Sequence, residues 1–385
     1  MNIINYGKHF ISNHDIEGVN KVLKSDFLTQ GKIVEKFETR LKRYLNTKYC
    51  TAVSSGTAAL YILSKALNWK KGDIILTTPN SFVATSNCIL YSGAKPVFVD
   101  IDENTGNICV ENIKLKIKEL KAKKKKIKAI IAIDYGGCPS DWPKLNLIAK
   151  KNRIILINDS CHSLGSSINK SRGYVSKYVD FATYSFHPVK PITTGEGGAI
   201  VTNIKEIDKK LKLLRSHGIV KNPKLQEWHQ DMKMFGYNYR ITDFQCELGI
   251  NQLEKINKYN KERKKIALFY RKNFSDYKNI KIQTIPKNFE SSYHLFPIKI
   301  NFTKLKISKN NFFKEMLKKG IKLQVHYVPI YRHTFYKKKF NFKARNFPNT
   351  EKFYNQVISL PIYYNLKKKT QIYIINCLKK MIKFR

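Results

Sequence analysis

Acidic side chains are in short supply. Asp and Glu number 28 against 72 Lys and Arg, a formal net charge of +44 with a pI near 9.9. Such an excess points first to nucleic acid or another anionic surface. The kind of cation argues otherwise. Arg is scarce, whereas Lys runs from end to end among many Ile and Asn. A nucleic-acid patch concentrates Arg with aromatics interleaved; an even enrichment in Lys, Ile and Asn is compositional drift. The densest run, KLKIKELKAKKKKIK from Lys114 to Lys128, reads as a solvated helix and the loop after it. No nucleic-acid partner is expected, although a basic binding protein is the reading that the charge alone supports.

Cysteine motifs are lacking too. The seven cysteines (Cys50, Cys88, Cys109, Cys138, Cys161, Cys246 and Cys377) are scattered, odd in number and without CxxC spacing. That excludes a disulfide framework and a zinc site, so no metal is expected, and it favours a reducing cytoplasm. The opening MNIINYGKHFISNHD has no apolar stretch of signal length, and no long apolar run occurs, so neither a leader nor a membrane span is expected. Internal repeats and linkers rich in Pro, Gly or Ser are missing. What remains is 385 residues with 42% hydrophobic and 12% aromatic side chains, enough for one large or two smaller domains.

The first two-thirds alternates between helical and strand patterns. Asp15 to Ser25 reads as a helix behind an Asp cap, and IVEKFETRLKRYL as a second. Short apolar strands follow at YCTAVSS, DIILTTP, KPVFVDID, IKAIIAIDYGG, IILINDSCH, VDFATYSFH and GGAIVTN. Helices fall between several of them, at GTAALYILSKAL, SFVATSNCILYSG and WPKLNLIAKKN. Strands of this kind form a mostly parallel sheet covered on both faces, with ligands at the strands' carboxyl ends. From Ile250 a long amphipathic helix runs to Phe274. A strand at YHLFPIKI, a helix near KNNFFKEMLKKG, a strand at IKLQVHYVPI and a terminal helix follow, as in a smaller α+β domain.

Four polar clusters fall where these strands end. In SSGTAAL, small residues lead from a strand into a helix whose unpaired N–H groups suit a phosphate, with Gly56 allowing close approach and Thr57 adding a hydroxyl. A plain N-cap explains the same letters. In INDSCHS, Asp159 ends an apolar strand, where its carboxylate can pair with a protonated ring nitrogen or merely cap the next element; His162 lies three residues on. In SFHPVKPITTGEGGAI, Ser185 ends a strand and Lys190 stands between Pro188 and Pro191, with Gly195, Gly197 and Gly198 returning the chain. A stiff loop of this kind presents an amine at the ligand edge, where desolvation makes it a usable nucleophile. In GYNYRITDFQCELG, Asn238 and Arg240 precede a helix capped by Thr242 or Asp243. Phe82 fits either a core position or a ring stacked on a flat cofactor.

A lysine imine, an acid for a pyridinium nitrogen and a phosphate cradle are together the requirements of pyridoxal phosphate. The run SFHPVKPITTGEGGAIVTN, with NDSCHSLGS upstream and GYNYRITDFQCELG downstream, resembles the DegT/DnrJ-type sugar aminotransferases over essentially the whole chain, in order. The resemblance implies a PLP-dependent type I transferase fold in the α/β class: a mostly parallel seven-stranded sheet domain over residues 1–250 and a small α+β domain over 251–385. It implies that Lys190 carries pyridoxal 5′-phosphate, Asp159 pairs with the ring nitrogen, and Gly56, Thr57 and Ser185 hold phosphate. Phe82 stacks on the ring, His162 lies beside it, and Asn238 reaches across a homodimer to the neighbour's phosphate. Lysine at position 190 argues against the family's dehydratases, which carry His there. DFLTQG and VHYVPIY narrow the likeness to members that aminate a UDP-linked 4-keto sugar with L-glutamate in pseudaminic acid synthesis. Tyr6, Asp26, Phe27, Leu28, Thr29, His326, Tyr327, Val328 and Pro329 would then line the sugar-nucleotide site. A dTDP- or GDP-linked sugar is the alternative.

Overall fold

The computed structural model describes residues 3–221 and 225–383. Its large sheet has seven strands: β1 (Tyr49–Val53), β2 (Ile74–Thr77), β3 (Lys95–Phe98), β4 (Ile127–Ile133), β5 (Ile155–Asp159), β7 (Phe181–Ser185) and β8 (Gly198–Thr202). A two-residue strand, β6 (Ser167–Ile168), stands outside it and pairs with Phe289–Glu290. The order across the sheet is β1-β8-β7-β5-β4-β2-β3. The five strands from β7 to β3 run parallel, and β8 lies antiparallel between β7 and β1. The expected mostly parallel α/β architecture is the one observed.

Helices cover both faces of the sheet: α1 (Asn13–Leu23), α2 (Lys32–Leu45), α3 (Gly56–Ala66), α4 (Ala84–Tyr91), α5 (Val110–Ala122), α6 (Trp142–Asn152), the short α7 (Tyr174–Tyr178) and α8 (Lys205–Arg215). One apolar core lies on the side of α2, α5 and α6; a second lies beneath α3, α4 and α8. The long helix α9 (Asp243–Phe274) feeds two cores. Cys246, Ile250, Leu253 and Ile256 join the first sheet core, while Ile266, Ala267, Tyr270 and Phe274 join a separate C-terminal core. That second unit holds a three-stranded antiparallel sheet of Ile280–Ile282, Phe296–Ile300 and Val357–Leu360. The N-terminal segment docks on it, since Ile4 N–H donates to Gly320 O and Lys322 N–H to Ile4 O. A boundary at residue 250 thus falls within α9. No helix among the described residues is long and apolar enough to cross a membrane.

Three local expectations change. Asp15 is not the cap of α1: Ser12 is the N-cap, and Asp15 closes a capping box by accepting from Ser12 N–H at 2.7 Å. The helix expected behind Thr242 or Asp243 and the long helix expected from Ile250 are one helix, α9, which passes through Gly249, where a β-carbon would meet the Phe37 ring at 2.7 Å. Its cap is Thr242, in a box with Gln245. The alternating IKLQVHYVPI forms no strand. It makes isolated bridges at Ile321 and Gln324, then leaves the sheet.

Asp243 is fully buried and serves a different helix. Its carboxylate accepts from Gly31 N–H at 2.9 Å and Ile33 N–H at 3.1 Å, capping α2, whose N-cap Gly31 has no side chain to do so. Asp243→Ala leaves those two donors unpaired and lowers stability by about 2 kcal/mol. Asp243→Asn, which keeps one acceptor, costs less. The urea midpoints of the two variants against the parent measure this.

Candidate active site

Strand register builds the first wall. Val53, Gly198 and Ser185 lie side by side across β1, β8 and β7. The turn after β1 therefore passes directly over the start of β8. A β-carbon on residue 198 would sit 2.4 Å from Ser55 O, and one on residue 56 would sit 2.8 Å from Ser185 Cβ. Ser55 caps α3 by accepting from Ala58 N–H at 3.1 Å. The first-turn N–H groups of Gly56 and Thr57 have no intrahelical acceptor and share this corner with the Ser185 hydroxyl, which makes an anion cradle.

The lysine loop is as stiff as its prolines suggest. Lys190 N–H donates to His187 O at 2.9 Å, closing a turn. Thr194 N–H donates to Phe186 O at 3.0 Å and Phe186 N–H to Gly197 O at 2.8 Å, while Gly195 takes φ +78°. The Thr193 hydroxyl donates to Phe186 O at 3.0 Å and accepts from Gly195 N–H at 3.0 Å. From α9, buried Arg263 donates to Pro191 O at 3.4 Å. Burial pushes the Lys190 amine below the usual lysine value, with Cys161 and Asp159 pulling it back.

Opposite stands Asp159, buried at the end of β5. Its Oδ2 accepts from the Thr85 hydroxyl at 2.6 Å, which is itself 2.6 Å from the Ser81 hydroxyl. Its Oδ1 accepts from Cys161 N–H at 3.3 Å. Behind it, Asp134 accepts from Ser140 N–H, Trp142 Nε1–H, Asn158 Nδ2–H and the hydroxyls of Ser163 and Tyr174, all at 2.7–2.8 Å. Burial pushes the Asp134 carboxyl up and these donors pull it down. The residues flanking Asp159 and His162 are thereby fixed.

The cleft between these walls has a volume of about 640 Å³. It brings together Tyr6, Gly56, Thr57, Phe82, Asp159, His162, Ser185, Lys190, His326, Tyr327 and Val328. Six expected residues lie elsewhere. Asp26, Phe27, Leu28 and Thr29 are exposed on a segment docked at the start of α9, where Asp243 N–H donates to Leu28 O. Pro329 is buried where Ile330 N–H meets Pro79 O, and Asn238 is exposed and bridged to Ser216. Ser81, Thr85 and His294 were not singled out from the sequence. The signal for the first two was a pair of hydroxyls at helical spacing in NSFVATSN; for His294 it was a lone imidazole in the apolar YHLF.

Three imidazoles crowd this cleft, each about 5% exposed: His162, His294 and His326. The rings of His162 and His294 are 4.5 Å apart, and His326 Nδ1 is 2.9 Å from the Ser359 hydroxyl. Burial chiefly, and the Lys190 charge next for His326, push their pKa values down, to about 3 for His326. All three are neutral at pH 7. Above the unfolded value of about 6.5 they add no pH dependence; below it the unfolded chain binds protons that the native fold refuses. The contribution of these three groups to stability is therefore nearly level above pH 7 and falls as pH drops below 6.5, His326 alone giving roughly 1 kcal/mol per pH unit until its own value of about 3; Lys309, held down to about 7 by burial, adds a separate rise with pH above 7. Urea midpoints across that range check the slope, and His326→Gln removes one share of it.

The chain matches the DegT/DnrJ/EryC1/StrS aminotransferase family over residues 10–379. It is 40% identical over 370 residues to the UDP-4-amino-4,6-dideoxy-N-acetyl-beta-L-altrosamine transaminase of Campylobacter jejuni, covering 95% of this chain and 94% of that one. Among solved structures, Helicobacter pylori PseC, an aminotransferase involved in the biosynthesis of pseudoaminic acid, superposes with a TM-score of 0.91 at 33% identity, covering 100% of both chains. The Streptococcus pneumoniae putative sugar aminotransferase Spr1654 in its PMP-form gives 0.91 at 28% identity, covering 98% of this chain and 99% of that one; its PLP-form gives 0.90 at 27%, covering 99% of each. With a lysine loop, a buried carboxylate and an anion cradle converging on one cleft, and likeness along its whole length, the chain belongs to the DegT/DnrJ/EryC1/StrS aminotransferase family.

Proposed function

We propose that this aminotransferase uses pyridoxal 5′-phosphate to move an amino group from L-glutamate to C4 of a UDP-linked 4-keto-6-deoxy-N-acetylhexosamine, giving UDP-4-amino-4,6-dideoxy-N-acetyl-β-L-altrosamine for pseudaminic acid synthesis. The observation that carries the reading is the Lys190 amine on its braced loop, within electrostatic reach of Asp159 and beside a cradle that a β-carbon on residue 56 would fill. The residues fit the cofactor: Gly56, Thr57 and Ser185 for its phosphate, Asp159 for its ring nitrogen, Lys190 for its carbonyl carbon, with Phe82 and His162 against the ring. When bound, the cofactor supplies an electron sink beside the reacting carbon.

The chain's own groups do the rest. Asp159, oriented by Thr85 and Ser81, holds positive charge at the ring nitrogen. Lys190 Nζ, with its pKa lowered, takes the proton from the donor's α-carbon and in the second stage delivers one to sugar C4. Tyr327 and Phe82 face each other at 6.2 Å between ring centroids. Tyr6 and His326–Val328 line the sugar-nucleotide side.

The assembly is a homodimer in this reading. Asn238 and Asp26–Thr29 lie outside their own chain's cleft, and exposed Phe27, Trp228 and Phe235 supply apolar surface for a partner. Asn238 then serves the neighbour's cofactor phosphate. The reaction belongs in the cytoplasm, in keeping with seven unpaired thiols.

Lys190→Ala lowers turnover by ~100-fold or more and removes the cofactor's visible absorbance; unchanged turnover overturns the reading. Gly56→Ala weakens cofactor affinity by about tenfold, read by titrating the apoprotein. A panel of UDP- and dTDP-linked 4-keto sugars offered with glutamate, the products identified by NMR, tests the sugar.

A further inference from the structure

Backbone geometry fixes the direction of one hydrogen bond in this cleft. Gly136 N–H points at His162 Nδ1, 3.3 Å away. A main-chain N–H only donates, so Nδ1 is the bare nitrogen, and in a neutral imidazole the proton then sits on Nε2. Nε2 lies 2.8 Å from Tyr327 Oη. His162 is therefore the donor and Tyr327 the acceptor. Tyr327 keeps its own proton, and no other hydrogen bond to its hydroxyl occurs among the described residues.

The surroundings preserve this arrangement. Gly136 is held in place by Leu295 N–H donating to its carbonyl at 3.1 Å, and the His162 carbonyl accepts from the Ser292 hydroxyl at 2.7 Å. The His162 and Tyr327 rings stack at 5.9 Å and 25°, and Phe82 stands 6.2 Å from Tyr327 across the cleft. The titratable groups facing the hydroxyl are His162, Tyr135, Asp159, Tyr6 and Cys161. Tyr135 is committed to the His326 carbonyl, and Asp159 to Thr85 and Cys161 N–H. Burial raises the Tyr327 pKa, so the hydroxyl stays protonated. A protonated hydroxyl with its acceptor side used, on a cleft wall, suits an oxygen that has lone pairs and no hydrogen.

We propose that Tyr327 donates a hydrogen bond to an acceptor-only oxygen of the cleft's occupant, and that His162 is the positioning residue that turns it to do so. Under the aminotransferase reading, on which this rests, two oxygens have that chemistry: the cofactor's phenolate and the keto oxygen of the sugar.

The first test needs neither cofactor nor turnover. Nitrogen-15 NMR of the histidine-labelled apoprotein finds His162 as the neutral Nε2–H form from pH 6 to 8; an Nδ1–H form overturns the proposal while leaving the aminotransferase reading, which Lys190→Ala reports, untouched. The second uses Tyr327→Phe in the cofactor-loaded enzyme. If the partner is the phenolate, losing the donor disfavours the more negative form, and the pH midpoint of the cofactor's absorbance change rises by about one unit, a tenfold effect. If the partner is the keto oxygen, that midpoint stays and the single-turnover sugar stage slows about 100-fold while the glutamate stage is unchanged. No change in either overturns the proposal. His162→Gln, whose carbonyl accepts from Gly136 and whose amide donates to Tyr327, keeps the parent's signature, whereas His162→Leu reproduces that of Tyr327→Phe. If the Gln variant behaves like Leu, His162 is not the positioning residue.

Discussion

The carbonyl oxygen of Ser55 stands 2.4 Å from where a β-carbon of residue 198 would be. That close approach is the constraint on which the site rests. It lets the turn after β1 lie flat on the start of β8, which brings the first turn of α3 over Ser185. Strand β8 is also the return leg of the loop that carries Lys190. One strand therefore closes the anion cradle at its first residue and anchors the amine through the hydrogen bonds of residues 186–197. Its antiparallel insertion between β1 and β7 breaks an otherwise parallel run, and the break gives the lysine loop two fixed ends a few ångströms apart.

The other end of the cleft depends on burial of polar groups. Asp134 is fully buried at the end of β4 and gathers five donors from four different segments. A buried carboxylate survives only when its lone pairs are used, and here they are used to hold Asn158 and Ser163 on either side of Asp159 and His162. The C-terminal unit grips the same place. Ser292 and Leu295 bond to the His162 and Gly136 carbonyls, and a β-carbon at Gly137 would meet the Ser292 hydroxyl at 2.2 Å. The cleft is thus assembled from both cores, with α9 running through the two of them.

What could be read in the sequence was local. Lys190 between prolines, Asp159 at the end of an apolar run and Gly56 at a strand–helix join each carry their own physical signature, and the structure brings all three to one cleft. What could not be read was tertiary. Ser81 and Thr85 look like ordinary polar positions of a helix until Asp159 is placed against them. His294 reaches the site only because the C-terminal unit folds back. The helix behind Thr242 and the long helix from Ile250 look separate in the sequence, yet α9 runs through Gly249 without interruption, where the Phe37 ring takes the room of a side chain. The alternation of IKLQVHYVPI mimics a strand, but a strand requires a paired neighbour along its length, and past Gln324 no strand pairing continues; the freed segment lines the cleft instead. Asp26–Thr29 and Asn238 belong with a second chain only under the proposed homodimer, which no pattern local to one chain encodes.

The large positive charge and the chemistry of the cleft occupy separate regimes. On the surface, lysines pair along their own helices, as Lys114 with Glu111 on α5, and between elements, as Lys264 with Glu290. At physiological salt such charges are screened over about 8 Å. They raise the encounter rate of anionic molecules but do not set proton affinities inside a walled cleft. There the inner inventory is small: the Lys190 amine, the Asp159 carboxylate and three imidazoles that burial keeps uncharged, with His187, Glu196 and His333 at the more exposed rim. Each added proton on an imidazole would stand against the Lys190 ammonium in a poorly screened space, so neutral histidines are what allow a cation or a protonated ring nitrogen to exist beside Asp159 at all. The three rings contribute shape and hydrogen-bond direction, and leave the two inner charged groups, Lys190 and Asp159, to face each other.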